Sequence, residues 1–363
     1  MVAYQSASMN GRPLDIELID NHVTFHFKKG GIDVPKPIRF AMMGAGFIAR
    51  PNGAALIAQP EVRLVAISNR TVSKAEKVAA DIGADCKIYQ DWLEMIENES
   101  LDAVLINLPH YMHRDVFITC AKKGLNIIIE KALANTYQEC LDMIQAAQEN
   151  KIRATVCHTQ RYHAVFQAAK SFIETHDLGP LRAVSDHIHT HYFWDGRSSW
   201  QLSNEQSGGG IALNYGVHQL DRVHFFLNQR TVQFSAKYLT AKEGYVIPSS
   251  YTMMGVGEKG TPYTINCTGY TGPHTDELRL VFDQGILHCC VKGSGLYESG
   301  LYFGDTKSGQ YIAQPVSLAA DHNYYRQFAA AVQYIAGQSE IPPVSLEWAA
   351  EMVQLVELGF REQ

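Results

Sequence analysis

Three short segments of the chain carry residues whose types and spacing could do chemistry. Gly44–Ala49 follows an apolar run, Glu130-Lys131 follows another, and Ser207–Gly210 opens a helical stretch with a polar stripe. A glycine-rich turn before a helix can cradle a dinucleotide, and a lysine at a strand end can exchange a proton. Together the three segments predict hydride-transfer chemistry on a small polar substrate.

The polar stripe is defined by helical spacing. Three apolar residues share one helix face and three polar residues share another: Leu213, Val217 and Leu220 against Asn214, His218 and Asp221. Histidine is the side chain best suited to pass a proton near neutral pH. A polar stripe is often a solvated face, but the glycines before this one would let another group approach closely. We therefore interpret the stripe as functional.

The Gly44–Ala49 loop has what a bound pyrophosphate needs. Gly44 suits a tight turn, and Gly46 has no side chain that would keep the pyrophosphate away from the main chain. Ala49 is small enough for the helix to pack closely against the strand. The helix N-terminus then faces the phosphate charge. We predict NAD or NADP as the cofactor, bound tightly or exchanging. The predicted contacts from this loop are Gly44, Gly46, Phe47, Ile48 and Ala49.

The second strand ends in Ser68-Asn69-Arg70, where NAD-selective proteins place an acidic residue at the ribose. Arg70 can pair with a 2′-phosphate or lie flat on adenine, or it is a solvated loop cation. Asn69 can hydrogen-bond an unphosphorylated ribose. Ser68, Asn69 and Arg70 are all predicted to contact the cofactor, and the choice between NAD and NADP stays open.

Two later strand ends lie at the edge where open α/β sheets bind ligands. Beside the positive nicotinamide, Lys131 would have a lowered pKa and could exchange a proton with a substrate hydroxyl. A surface lysine that caps a strand is the alternative. His110 and His113 suit helix-start and packing positions and are also candidate cofactor contacts. The complete set of predicted contacts at these strand ends is Asn107, Pro109, His110, His113, Glu130 and Lys131.

Alternation of apolar runs with helical stretches from Ile38 onward predicts an α/β Rossmann domain with a doubly wound parallel sheet. The six predicted strands are Ile38–Met43, Val62–Ser68, Lys87–Tyr89, Ala103–Leu108, Asn126–Glu130 and Arg153–Cys157. Val72–Asp81 and Tyr137–Asn150 are predicted helices between them, because their apolar residues recur with helical spacing.

Beyond His158 the pattern changes to successive strands, which predicts an α+β domain with a large, open-faced, mostly antiparallel sheet. The predicted strands are Leu181–His191, Thr231–Leu239, Tyr251–Val256, Tyr263–Tyr270, Glu277–Phe282 and Ile286–Val291, with turns at Asp283–Gly285 and Lys292-Gly293. Two helices, Asp321–Ile335 and Ser345–Arg361, are predicted to follow.

The first 36 residues form a separate feature. Asp15–Ile19 and His22–Phe27 flank Asp20-Asn21, which predicts a β-hairpin, and Lys28–Gly31 with nearby prolines isolates it. A lone hairpin is marginally stable, so we expect this arm to help assemble a homo-oligomer. The predicted domains are therefore 1–36 (the arm), 37–158 (dinucleotide-binding) and 159–363 (substrate-binding and oligomerisation).

Composition narrows the class of protein. The 363 residues are 46% apolar and 19% charged, with a formal net charge of −6 and no basic block, so neither a nucleic acid nor a membrane is an expected partner. Seven cysteines form no C-x-x-C pair, and the N-terminus lacks a signal-peptide pattern. We expect reduced thiols in a cytoplasmic protein and predict no metal site.

His187, His189 and His191 alternate along a predicted strand and share one face. A zinc site there is the alternative to packing or subunit contact, because neighbours on one strand rarely converge on one ion. Tyr192 and Trp194 follow, and they either line a carbohydrate-binding wall or belong to the core.

With these residues in view, the chain from Ile38 onward resembles the glucose-fructose oxidoreductase / inositol dehydrogenase (Gfo/Idh/MocA) family. Gly44–Ala49 matches the family's nucleotide loop, and Glu130-Lys131-Ala132 resembles its Glu-Lys-Pro signature with alanine for proline. Gly208–Asp221 is similar to its Gly-Gly-Gly…His-x-x-Asp stretch, with Asn214 where many members have aspartate. His158–Tyr162 is similar to the segment that leads into the second domain.

The resemblance implies roles for individual residues. Lys131 becomes the proton-transfer residue, and His218 and Asn214 become substrate-binding or acid/base partners. Pro109 would abut the nicotinamide. Because asparagine cannot titrate, any proton relay falls to Lys131 and His218, while Ala132 changes how Lys131 is held, at a bond that is often cis in the family. The predicted substrate contacts are Arg161, Tyr162, Tyr192, Trp194, Asn214 and His218.

The sequence thus predicts an NAD(P)-dependent oxidoreductase of a sugar, sugar derivative or glycoside, acting on a secondary hydroxyl such as C3 of a glucosyl unit. Hydride would pass to nicotinamide and the proton to Lys131. Two alternatives stay open. One is an NAD-dependent glycosidase that oxidises, eliminates and re-reduces, and the other is a cofactor-binding sensor without chemistry.

Overall fold

The structure is a computed structural model that describes residues 7–9, 12–19, 22–27, 36–292, 298–318 and 322–361. The chain divides into two compact units, Met1–Pro37 and Ile38–Gln363. None of the helices in the described ranges has the length and apolar character needed to cross a bilayer. The predicted division of the larger unit at residue 158 stays a prediction.

The described residues of the first unit form three short strands in one antiparallel sheet: β1 (Ala7–Met9), β2 (Arg12–Ile19) and β3 (His22–Phe27). The pairing of β2 with β3 runs from Leu14 opposite Phe27 to Ile19 opposite His22, as a hairpin requires. The strand β1 was not predicted. The turn expected at Asp20-Asn21 and the break expected at Lys28–Gly31 lie outside the described residues, and the role of this arm in assembly stays a prediction.

The second unit begins with the predicted six-stranded parallel sheet. Its strands are β4 (Ile38–Met43), β5 (Val62–Ser68), β6 (Lys87–Tyr89), β7 (Ala103–Ile106), β8 (Asn126–Glu130) and β9 (Ala154–Cys157). Their order, β6-β5-β4-β7-β8-β9, is that of a Rossmann fold. The helices are α1 (Ala49–Ile57), α2 (Val72–Ile82), α3 (Trp92–Asn98), α4 (His113–Lys122) and α5 (Tyr137–Glu149).

These strands form because their apolar runs are buried on both faces. All four residues of β7 are buried, and all but the first of β8 are, as expected for a sheet covered by helices. The chain leaves β7 two residues earlier than predicted, so that Asn107 and Leu108 lie in the loop at the sheet's carboxyl edge. This edge brings the loop after β4 and the ends of β5, β7 and β8 together.

The second sheet has eight described strands in the order β11-β12-β13-β10-β14-β15-β16-β17. They are β10 (Leu181–His189), β11 (Thr231–Leu239), β12 (Ser250–Gly257), β13 (Pro262–Thr268), β14 (Thr275–Phe282), β15 (Gly285–Lys292), β16 (Gly300–Gly304) and β17 (Tyr311–Gln314). Every described pair is antiparallel except β10 with β13, which confirms the mostly antiparallel prediction. The last two strands, β16 and its edge neighbour β17, were not predicted, because with five and four residues they are too short to show a clear alternation.

Helices α6 (Ala164–Thr175), α9 (Ile211–Leu227) and α11 (Leu346–Arg361) cover one face of this sheet. The short helices α7 (Ser199–Leu202) and α8 (Asn204–Ser207) precede α9, whereas α10 (Asn323–Ile335) packs against α1 and the parallel sheet. Along β10, Val184, Asp186 and Ile188 are buried on the helix side, while Ser185 and His187 are exposed on the other. The helix side belongs to the main core, and the other side is the open face.

The side chains of His187, His189 and His191 do not converge on one point. His187 is exposed on the open face of β10, and His189 lies with Nδ1 2.6 Å from the hydroxyl oxygen of Thr268. His191 lies beyond the end of the strand. Among the described residues they form no group with metal-ligand geometry, so the alternative of a three-histidine zinc site on this strand is wrong.

A buried ion-pair network fastens α9 to the sheet. Arg222 of α9 has no exposed surface and donates to Asp186 on β10 at 2.6 Å and to Asp276 on β14 at 2.5 Å. Gln219, one turn earlier, also donates to Asp186. A buried guanidinium needs such partners, because an unpaired charge in the interior is costly. The network fixes the rotation of α9 and thereby the direction of its polar stripe.

Replacing Arg222 with methionine would leave two buried carboxylates without their cation. We expect the free energy of unfolding to fall by about 3–5 kcal/mol. Urea denaturation followed by circular dichroism measures this loss. The matched control is Arg182→Met, which breaks the exposed Arg182–Asp283 pair and should cost less than about 1 kcal/mol. Equal losses in the two variants would contradict the anchoring role of Arg222.

Candidate active site

The loop between β4 and α1 has the shape expected of a phosphate cradle. Gly44 adopts a φ of +92°, and a Cβ there would lie 2.8 Å from the carbonyl oxygen of Asn107. A Cβ at Gly46 would meet nothing within 4 Å, so space lies in front of this backbone. Ala49 is buried at the start of α1, whereas Phe47 is 97% exposed beside it. Gly44 is therefore required by its positive φ and by the close approach of the Asn107 carbonyl, whereas the protein itself leaves the space in front of Gly46 open.

The three residues predicted to contact the ribose, at the end of β5, have different surroundings. The Asn69 side chain accepts from the Ala45 amide at 3.1 Å and donates to the Thr71 carbonyl at 2.8 Å, so it ties the two loops together. Arg70 is exposed. Ser68 is buried, and its hydroxyl has no hydrogen-bond partner. Asn69 is thus a residue that shapes the site, while Ser68 and Arg70 keep free groups.

A buried amide beneath the loop was missed by the sequence patterns. Asn52 has no exposed surface, and its side-chain NH2 donates to Glu130 at 2.7 Å and to Asn107 at 2.9 Å. Burial raises the pKa of Glu130, which Asn52 and Lys131 partly counteract. The signal was a polar residue on the inner face of α1, between Pro51 and Gly53. It holds the ends of β7 and β8 together below the cofactor loop.

The two histidines after β7 are deeply placed. One ring nitrogen of His113 lies 2.8 Å from the Leu108 carbonyl oxygen and the other 3.0 Å from that of Ala132, and the ring has no exposed surface. Burial lowers the pKa of His113 to about 4 and that of His110 to about 3. Because its polar atoms are occupied by main-chain carbonyls, His113 is withdrawn from the cofactor contacts. His110 contacts Asn135 at 2.6 Å and packs against Trp200.

Lys131 reaches from the end of β8 to helix α9. Its Nζ donates to the side-chain oxygen of Asn214 at 2.6 Å and to the Asn214 carbonyl at 2.9 Å. Burial lowers the pKa of Lys131 to about 8, with Glu130 opposing the shift and Arg197 adding to it. The peptide bond to Ala132 is cis, as the family resemblance implied, although alanine replaces proline. Two residues to which the resemblance assigns separate roles, Lys131 and Asn214, are therefore in direct contact.

His218 follows Asn214 by one turn of α9. Burial lowers its pKa well below the ordinary value, and the nearby Lys131 lowers it further, so the imidazole is neutral near pH 7. The Nδ1 atom of His218 is buried without a hydrogen-bond partner. Lys131, Asn214 and His218 thus form one cluster that offers a proton acceptor, an amide and a neutral imidazole.

The three glycines before α9 serve packing. Each has a positive φ, and a Cβ would lie 2.9 Å from Leu213 at Gly208, 2.7 Å from Phe360 at Gly209 and 2.7 Å from Ile247 at Gly210. The groups that approach these glycines closely are therefore side chains of the protein itself. They set the start of the helix that carries Asn214 and His218.

The third residue of the stripe, Asp221, is not available to a substrate. It is buried and accepts from Arg161 at 2.6 Å and from the indole NH of Trp348 at 2.8 Å, with His158 Nδ1 3.5 Å away. Burial alone would raise the pKa of Asp221, but Arg161 and His158 hold it below its ordinary value. The guanidinium of Arg161 is engaged by Asp221, and a contact between Arg161 and substrate stays a prediction.

The aromatic candidates divide in the same way. Tyr192 has no exposed surface, donates to the Gln201 carbonyl at 3.3 Å and lies 3.8 Å below the Arg197 guanidinium. It is therefore a core residue beside Asn214 and not a substrate contact. Trp194 is half exposed. Tyr162 is partly buried, which raises its pKa to about 12. Substrate contact by Trp194 and by Tyr162 stays a prediction.

Comparison with known proteins agrees with these motifs. The sequence profile of an oxidoreductase family with an NAD-binding Rossmann fold, GFO/IDH/MocA, matches residues 38–158. The profile of the GFO/IDH/MocA C-terminal domain matches residues 166–288. The two matches follow each other in the order expected for one protein of this family.

Among curated relatives, the chain is 26% identical over 198 residues to 2,7-anhydro-N-acetylneuraminate hydratase of Mediterraneibacter gnavus, which covers 53% of this chain and 50% of that protein. It is 22% identical over 312 residues to D-xylose 1-dehydrogenase (NADP(+)) of Haloarcula marismortui, which covers 83% of each. The match spans about half the length of the first of these relatives.

Among solved structures, the WlbA dehydrogenase from Bordetella pertussis, in complex with NADH and UDP-GlcNAcA, superposes with a TM-score of 0.75. The identity is 18%, and the match covers 90% of this chain and 95% of that one. This likeness shows the fold, and the two profile matches show the family. The chain belongs to the GFO/IDH/MocA family of oxidoreductases, whose N-terminal domain is an NAD-binding Rossmann fold.

Proposed function

We propose that the protein is an NAD(P)-dependent oxidoreductase that acts on a secondary hydroxyl, or the matching ketone, of a sugar, sugar derivative or glycoside. The observation that carries the proposal is the placement of Lys131. Its ammonium lies at the carboxyl edge of the parallel sheet, contacts Asn214 of α9 and has a lowered pKa. A lysine so placed is suited to proton transfer beside a bound dinucleotide.

The residues around the loop fit a dinucleotide. The space in front of Gly46 accommodates a pyrophosphate against bare backbone, and the α1 N-terminus favours its charge. The buried Ser68 hydroxyl and the Asn107 side-chain NH2 have no hydrogen-bond partner in the protein, so they offer polar atoms to the cofactor. Arg70 supports either a 2′-phosphate or adenine stacking. When bound, the nicotinamide supplies the hydride acceptor or donor.

The proton follows a short route. In oxidation, the alcohol loses a hydride from carbon and a proton from oxygen, and neutral Lys131 accepts that proton. Because the pKa of Lys131 is about 8, about a tenth of the lysine is neutral at pH 7. The new ammonium donates to Asn214, which cannot take the proton on. His218 is neutral, and its unpartnered Nδ1 is available to orient the hydroxyl.

Asp221 and Arg161 act on this cluster indirectly. The ring of His158 packs edge-on against His218, with the centroids 6.0 Å apart, and His158 is itself beside Asp221. This arrangement holds the imidazole of His218 in place while Arg161 neutralises the carboxylate. Asp221, Arg161 and His158 are therefore positioning residues in the proposed reaction.

The substrate class follows from the relatives. Two of the relatives are named as an anhydro-sugar hydratase and a xylose dehydrogenase, and one similar structure holds UDP-GlcNAcA. These names support a sugar-type substrate here. Oxidation at C3 of a glucosyl unit is the finer proposal, and a panel of sugars and glycosides assayed for NADH or NADPH formation tests it.

The alternative function is elimination or hydration with a cofactor that is recycled in place. The relative named as a hydratase favours it, since hydration causes no net oxidation. Comparing product release from an aryl glycoside with net nicotinamide reduction separates the two functions. Release without accumulation of reduced cofactor would replace the dehydrogenase proposal, and any turnover excludes a sensor without chemistry.

Replacing Gly46 with valine tests the cofactor cradle. Because a Cβ at this position meets no protein atom within 4 Å, the variant should fold normally while its side chain enters the space of the pyrophosphate. We expect affinity for NAD and NADP to fall at least tenfold, measured by isothermal titration calorimetry. Gly300→Val is the control, because Gly300 has no positive φ and an added Cβ there would make only ordinary contacts of 3.6–3.7 Å. Unchanged affinity in Gly46→Val would place the cofactor elsewhere.

Replacing Lys131 with methionine should remove the proton acceptor while the cofactor still binds. We expect kcat to fall by about 10²–10⁴-fold with NAD affinity near normal. His218→Ala should lower kcat and raise KM together, because it removes orientation of the substrate. Lys122→Met is the matched surface control. If Lys131→Met turns over the substrate at a near-normal rate, the base is His218.

The pH profile tests the lysine assignment independently. Oxidation needs neutral Lys131, so kcat/KM should rise with pH up to about 8 and then level off. Asn214→Asp would place a carboxylate against the ammonium and favour the charged form. The rising limb should therefore move to higher pH in this variant. A limb that stays in place would show that another group titrates.

A further inference from the structure

The open face of the second sheet carries a compact polar array that is separate from the Lys131 cluster. Glu277 on β14 lies directly opposite Cys290 on β15. His288 is two residues before Cys290 on the same strand, so it shares that face. Directly opposite residues in an antiparallel pair have Cβ atoms about 4.5–5.5 Å apart. The three side chains are therefore brought together by sheet register, from two neighbouring strands.

The distances within this array suit a tetrahedral metal ion. The Nε2 atom of His288 is 3.2 Å from Oε2 of Glu277 and 3.3 Å from Sγ of Cys290. All three ligand atoms lie within 4.8 Å of one another. Ligands of tetrahedral zinc lie about 3.3–3.6 Å apart, given bonds of about 2.0–2.3 Å. Two edges of the tetrahedron are thus already near their final length.

Burial and chemistry agree with the geometry. His288 and Cys290 have no exposed surface, and Glu277 is partly buried. The rings of Tyr311 and Tyr302 lie 5.6 and 6.3 Å from the ring of His288. Thiolate, imidazole and carboxylate together are the ligand set of zinc and not of calcium or magnesium, which prefer oxygen alone.

A path to the array is also present. A cavity of about 250 Å³ on the same face is lined by Ser185, His187, Glu277 and Arg279. Glu277 belongs to both the cavity and the array, so an ion or a water molecule can reach the carboxylate from this side. Three protein ligands leave a fourth position for water or a further ligand.

We propose that Glu277, His288 and Cys290 bind a zinc ion on the open face of the sheet. The site joins β14 to β15 and is distinct from the residues proposed for hydride and proton transfer. It differs from the rejected histidine site because its ligands come from opposite positions on two strands. Arg279 lies 3.9 Å from the same Glu277 oxygen that faces His288, so its positive charge opposes the ion.

The experiment is a zinc titration of the full-length protein after removal of metal with a chelator, in competition with a chromophoric zinc indicator. We expect one zinc per chain with micromolar or tighter affinity. Cys290→Ser and Glu277→Gln should each weaken binding at least tenfold. Cys86→Ser removes a thiol from the Rossmann domain and should change nothing. Arg279→Gln should tighten binding, because it removes the opposing charge.

Cobalt provides a second readout that does not depend on affinity. Bound Co²⁺ with a cysteine ligand gives a sulfur-to-metal charge-transfer band, which we expect in the wild type and in Cys86→Ser and not in Cys290→Ser. Wild-type protein that binds no stoichiometric zinc overturns the proposal, even if Cys290→Ser fails to fold. Equal binding by folded wild type, Cys290→Ser and Glu277→Gln also overturns it, since the ion is then elsewhere.

Discussion

The contact between Lys131 and Asn214 is the interaction on which the candidate site depends. Lys131 directly follows β8 of the parallel sheet, and Asn214 lies in the first turn of a helix that packs on the other sheet. Everything that fixes the helix also fixes this contact, including the glycines before it and the Arg222 network behind it. The site is therefore a product of how two sheets are joined, not of any single loop.

The charges around this contact explain why one lysine can titrate near neutral pH. Asn214 contributes no charge, His218 is neutral, and the carboxylate of Asp221 is taken up by Arg161. Glu130, the carboxylate next to Lys131 in sequence, has a raised pKa because it is buried. With few compensating charges, burial dominates and lowers the pKa of Lys131. An aspartate at 214 would work against that effect.

Much of this arrangement could be predicted from the sequence, because it depends on the pattern of apolar residues and on short motifs. The six parallel strands are continuous apolar runs, and the motifs at Gly44, Lys131 and His218 lie where the fold places ligands. Long-range pairing left no such signal. The partners Arg161 and Asp221 are 60 residues apart, so their ion pair was not predicted. The complete burial of His113 and Tyr192 was not predicted either, because it depends on how separate elements pack together.

The partners of Asp221 also have a consequence for the order of events during synthesis. Trp348 lies on α11, 127 residues after the carboxylate to which it donates. The same helix receives the amide of Tyr137 on α5 through Glu357. When α9 has left the ribosome, Lys131, Asn214 and His218 have all been synthesised. The helix α11, which supplies Trp348 and Glu357, has not. Asp221 can therefore acquire its hydrogen bond from Trp348 only after α11 has been synthesised.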